Sequence, residues 1–106
     1  MKDLMGIMKK VQEMQSRMGE LQTELDETLV EGTAGGGMVV VRMSAKGDLK
    51  HVEIDPSVLK PEDREIVQDL VVAAHADARR KAEAISAEKM KEATAGLPIP
   101  PGMKLF

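Results

Sequence analysis

The chain has 106 residues, 15 basic and 18 acidic, with a net charge of −3, no cysteine and a single aromatic residue, Phe106. The missing cysteines exclude a disulfide framework, thiolate zinc sites and thiol nucleophiles. One terminal phenylalanine cannot form the stacking platform on which single-stranded nucleic acids are read.

The length predicts one domain, with a core small enough that a partner helps to complete it. The first residues, MKDLMGIMKK, contain no apolar run long enough for a signal peptide. No stretch approaches the roughly 20 apolar residues that span a bilayer. Both observations predict no membrane partner, and the lack of cysteine suits a reducing cytoplasm.

Residues 3–27 carry the strongest periodicity. Leu4, Ile7, Val11, Met14, Met18, Leu21 and Leu25 alternate spacings of three and four, which is the a/d seam of a long amphipathic helix. Asp3 suits its first turn. Gly6 and Gly19 lie off the seam, and each costs about 1 kcal/mol relative to alanine. A close backbone neighbour would explain them. Glu24, Asp26 and Glu27 sit at the negative end of the helix dipole, so cations from elsewhere in the fold must offset them.

Residues 28–55 read as three antiparallel strands joined by short glycine turns. The strands are 28–34, 38–45 and 49–55. The run GTAGGGMVVVR, Gly32–Arg42, puts three glycines directly before a valine strand. A phosphate loop needs Gly-Lys-Ser/Thr and a following helix, so this is a hairpin turn and no nucleotide site. In the third strand Val52 and Ile54 alternate with His51, Glu53 and Asp55, giving one apolar and one wet face.

Asp55-Pro-Ser-Val-Leu59 predicts a short helical turn capped by Asp55, with proline in first place. A second long helix is predicted over 61–95, starting at Pro61 because Lys60 precedes proline. Glu62, Asp63 and Glu65 favour its dipole. Its buried stripe is Val67, Leu70, Val71, Ala74, Ala78, Ala82 and Ile85, mostly alanine after Val71, which permits close approach. The segment 97–106 is apolar and rich in proline and predicts an extended strap packed on the body. Helices of roughly 36 and 50 Å overhang strands of about 23 Å. An exposed heptad seam is an aggregation hazard, and a two-fold homodimer removes it.

No residue pattern points to catalysis, and no metal or other cofactor is called for. His51, Glu53 and Asp55 resemble metal ligands, but they also make an ordinary solvated strand face with Asp55 already used as a cap. His75 stands alone. No serine has a nucleophile-elbow context. The cations say more. With Leu4 at position a, Lys2 and Lys9 fall at f and Lys10 and Arg17 at g, a basic stripe beside the seam. Glu13, Glu20 and Glu27 fall at c, on another face. Arg79-Arg80-Lys81 is a second cluster, although Asp77–Lys81 and Arg79–Glu83 have the spacing of solvated ion pairs.

The ordered set of helix, glycine hairpin, Ile54-Asp55-Pro56-Ser57, Asp69-Leu-Val-Val-Ala-Ala74 and Pro100-Pro-Gly-Met-Lys104 resembles the YbaB/EbfC family of bacterial nucleoid-associated proteins. Glu13-Met14-Gln15 in a methionine-rich first helix fits the same family. The resemblance implies an α+β fold, an α-β-β-β-α protomer in an intertwined homodimer whose helices project like tweezers. It implies a cytoplasmic, nucleoid-associated protein that binds double-stranded DNA and alters its conformation, with effects on gene expression. It places DNA contact on the projecting helices, here Lys2, Lys9, Lys10, Arg17, Arg79, Arg80 and Lys81. The dimer interface is expected at Leu4, Ile7, Val11, Met14, Met18, Leu21, Val39 and Val41. Nothing resembles a helix that reads base edges, so slight sequence preference and no small-molecule substrate are expected. The rival reading is a protein-interaction dimer that uses its methionines and apolar tail. An enzyme survives only as metal binding at His51.

Overall fold

The computed structural model describes residues 2–94; the expected strap at 97–106 lies outside them. The chain runs α1 (Lys2–Glu27), β1 (Leu29–Ala34), β2 (Val39–Ser44), β3 (Leu49–Ile54) and α2 (Arg64–Thr94). Single 3-10 turns at Pro56–Val58 and Pro61–Asp63 connect β3 to α2. The strands form one antiparallel sheet in the order β1-β2-β3. This is the expected α+β protomer. Its ends differ from the sequence expectation by a residue or so at the strands. At the second helix, Pro61–Asp63 adopts a tighter turn before the α-helix begins at Arg64.

Both hairpin turns depend on left-handed backbone. Gly35, Gly36 and Gly37 have φ of 65°, 68° and 96°, a region in which other residues are strained. Asp55 caps the Pro56 turn as expected, its Oδ1 accepting the Ser57 backbone N–H at 2.8 Å. That N–H, and then the Ser57 hydroxyl, hold the Asp55 carboxyl below its ordinary pKa.

The core lies between the sheet and α2. Val30, Val39, Val41 and Met43 on the sheet meet Ala74, Ala78 and Ala82 on the helix, with Leu70, Val71, Val52 and Ile54 packed around them. The alanine stripe allows the helix to descend onto β1. There Gly32 completes the fit: a Cβ at this position would lie 2.2 Å from the Ala74 carbonyl oxygen and 2.3 Å from the Ala78 nitrogen. The neighbours are helix backbone and cannot give way.

A smaller cluster roots α1 to the body. Leu21 and Leu25 bury against Ala45, with Met18, Ile85, Met90 and Ala93 around them. The offsetting cations come from distant segments. Lys89 pairs with Glu24, and Lys50 lies 3.8 Å from Asp26. The Glu24 carboxylate raises the pKa of Lys89. N-terminal to Met18 the seam is open: Leu4, Ile7 and Val11 are 61%, 56% and 48% exposed. The molecule is accordingly long and thin, 72 × 24 × 16 Å.

Three residues expected at the dimer interface are already covered within the protomer. Val39 and Val41 are 0% and 1% exposed under α2 of their own protomer. Strand alternation turns them inward and the helix covers them, so they have no surface to offer a second copy. Leu21 is likewise buried within the protomer.

Gly32→Ala is expected to lose about 3 kcal/mol or more of stability, because an added methyl must displace helix backbone. A urea melt followed by circular dichroism reads this as a lower midpoint. Gly36→Ala, where a Cβ meets nothing within 4 Å, tests backbone strain alone and should cost less.

Candidate nucleic-acid interface

The two groups of cations predicted as DNA contacts stand in different surroundings. On α1, the helical spacing that forms the seam also places Lys9, Lys10 and Arg17 beside it. All three are exposed. No ion pair among the described residues involves them. Lys2 begins the helix, and its side chain is outside what is described. Arg17 also borders a shallow cleft with Glu20, Glu24, Lys89 and Glu92, where α1 meets the end of α2.

The α2 cations are engaged. Arg79 Nε lies 3.1 Å from Glu83 Oε1, and Arg80 Nη2 lies 3.3 Å from Asp77 Oδ1. Lys81 Nζ lies 3.2 Å from Asp77 Oδ2 and donates to the Glu31 carbonyl oxygen at 2.7 Å. These are the pairs the i,i+4 spacing predicts, with the strand contact added.

The strand contact has a structural purpose. Residues 28 and 45 face each other through the Ala45 N–H and the Thr28 carbonyl, 2.8 Å apart. Alternation along an antiparallel ladder then turns the main-chain groups of Glu31 and Thr33 away from β2, toward the open edge of the sheet. Asp77 and Lys81 meet them there: the Thr33 N–H donates to Asp77 Oδ2 at 3.1 Å, and the Glu31 carbonyl receives Lys81. A bare strand edge invites pairing with other chains, and α2 closes this one with two side chains. The Thr33 N–H is the main cause of a lowered Asp77 pKa, followed by the hydrogen bond from Lys81. Sequence reasoning placed Lys81 among the DNA contacts and missed its edge role. No local pattern signals a bond that spans 50 residues of chain.

The remaining candidates are ordinary. On the outer sheet face Arg42 bridges Glu31 and Glu53 at 3.5 and 3.6 Å, and His51 lies 3.6 Å from Glu53. Asp55 is turned into its cap. Among the described residues no three metal-ligating side chains come together. No helix there is long and apolar enough to cross a membrane. A cleft of about 530 Å³ lies between the β2–β3 turn and the helices, lined in part by Leu25, Ala82, Met90, Lys46 and Arg79.

A three-stranded sheet bearing one packed helix and one projecting helix, with unpaired cations on the projection, defines a small architecture suited to nucleic acid. The chain matches the YbaB/EbfC DNA-binding family over residues 1–97, and it belongs to that family. It is 56% identical to a nucleoid-associated protein of Rhizobium meliloti over 99% of this chain and 98% of that one. It is 53% identical to another from Agrobacterium fabrum with the same coverage. An uncharacterized protein from Helicobacter pylori, known from its crystal structure, superposes with a TM-score of 0.73 at 26% identity. That match covers 81% of this chain and 90% of the other. The family is named for DNA binding and gives no positive sign of catalysis.

The lowered Asp77 pKa has a direct consequence for acid stability. A carboxylate held below its unfolded value of 3.8 contributes stability above that pH and loses it as pH falls through the folded value. Asp77→Asn should therefore flatten the fall in thermal stability below about pH 4. A series of melts from pH 7 to pH 2 checks this; an unchanged acid limb contradicts the clamp.

Proposed function

We propose that this protein binds duplex DNA at the bacterial nucleoid, in the cytoplasm, as a homodimer. Phosphate contact comes chiefly from α1. The observation that carries the reading is the contrast between the two cation groups. Among the described residues Lys9, Lys10 and Arg17 are exposed and form no ion pair, while Arg79, Arg80 and Lys81 are already engaged by Asp77, Glu83 and the edge of β1. A cation that already holds a carboxylate must lose that contact to gain a phosphate; a free one need only shed water and counterions. Family membership and the names of the relatives support DNA as the partner and the nucleoid as its place.

The second copy shelters the open seam at Leu4, Ile7, Val11 and Met14, and doubles the basic stripe. Among the described residues no element resembles a helix built to read base edges, so binding depends on backbone phosphate with little sequence preference. By holding both arms to one duplex, the dimer alters the path of the DNA and through it nucleoid organisation and expression. Exposed Leu4, Met5, Ile7 and Met8 favour a second reading, in which the same face grips a partner protein. Light scattering with and without duplex at two salt concentrations separates the two. A dimer that takes up DNA at low salt supports the first, and a dimer indifferent to DNA supports the second.

Lys9→Glu with Lys10→Glu is expected to weaken duplex binding more than tenfold at low salt and leave the dimer intact. Arg79→Glu with Arg80→Glu should weaken it less. If four α1 cations on each copy meet phosphate, log K falls against log salt with a slope of up to about −7. Gel-shift titrations across salt concentrations read both. Equal losses from the two double variants would overturn the assignment to α1.

A further inference from the structure

We infer that Gly19 is a joint on which the basic arm of α1 swings against the body, making it a positioning residue for the DNA contact proposed above. Three observations meet at this one turn. The packed part of α1 begins at Met18, with Leu21 and Leu25 beyond it. Every large apolar residue from Leu4 to Val11 is exposed. The boundary between anchored and projecting helix therefore falls in the turn that holds Met18, with Gly19 next to it on the anchored side.

Gly19 itself has no packing reason to be glycine. Among the described residues a Cβ there would meet nothing within 4 Å, and its backbone is helical with no positive φ. Within the described protomer neither close approach nor left-handed backbone, the two ordinary reasons for glycine, applies. What glycine does confer inside a helix is backbone freedom, at a cost in helix propensity second only to proline.

The third observation is the Thr23 hydroxyl, which donates to the Gly19 carbonyl oxygen at 3.2 Å. A hydroxyl bonded back four residues shares a carbonyl already used by the helix ladder and favours bending there. Glycine and back-bond thus weaken the same peptide, at the place where side-chain packing stops holding the helix. Lys9, Lys10 and Arg17 all lie on the far side of it. Pairing of Leu4–Met14 with a second copy moves the arm as a rod and leaves the joint unclamped. A phosphate surface then selects the arm angle.

The chain has no cysteine, so two labels can be placed cleanly. Gln12→Cys on the arm and Ser57→Cys on the body carry spin labels, and labelled chain is diluted in excess unlabelled chain so that only distances within a protomer are read. Without DNA, the distance distribution should be broad. Gly19→Ala should narrow it by about half and raise Tm by about 4 °C. Gly19→Ala should also weaken duplex binding at least threefold at low salt, moving stability and affinity in opposite directions, which a purely structural glycine would not do. A distribution equally narrow in both proteins overturns the joint, as does a Gly19→Ala protein that binds duplex as tightly as the original chain. If the original chain takes up no duplex at any salt, the DNA reading fails, and the two widths measured without DNA still decide the joint.

Discussion

The structure depends on the closeness of α2 to β1. An alanine stripe on the helix and a glycine on the strand let two backbones approach to a separation no larger pair allows. The area buried per residue is small, so the contact depends on fit more than on bulk. Its consequence is positional. With the helix this low, the short side chain of Asp77 and the long one of Lys81 both reach the strand edge. A helix held further out by leucines would leave that edge open.

Helical spacing along α2 and this contact together sort the charges. The cations of α2 that lie near the sheet are drawn into pairs and hydrogen bonds, and the outer sheet face is balanced by the ladder of Glu31, Arg42 and Glu53. Lys9 and Lys10 project past the body, and Arg17 borders the cleft at the end of α2; none of the three forms an ion pair among the described residues. An acidic chain thus presents on α1 a cluster of cations that form no ion pair among the described residues, and local clustering, more than net charge, governs the encounter with a polyanion. Exposed ion pairs add little to stability; here their effect is to decide which cations remain available.

Much of this is legible in the sequence, because it is local. The heptad seam, the glycine turn, the Asp55 cap and the alternation of Val52 and Ile54 all follow from spacing within a few residues. So do the pairs Asp77–Lys81 and Arg79–Glu83. The features that were not legible join distant segments. Gly32 reads as one more strand glycine until Ala74 and Ala78 are placed over it. Glu24 and Asp26 require cations from elsewhere, but only the fold names Lys89 and Lys50. Val39 and Val41 fit a dimer interface by composition, yet one helix of the same chain satisfies them. A hydrophobic pattern says which face is covered and leaves open by what.

The central claim is that free cations on α1, and not the engaged ones on α2, meet the phosphate backbone. Mapping amide chemical shifts in the labelled protein as a short duplex is added at low salt tests this most directly. The largest changes are expected to run through residues 9–17, with residues 77–83 nearly still. Changes concentrated at 77–83, with 9–17 unmoved, would contradict it.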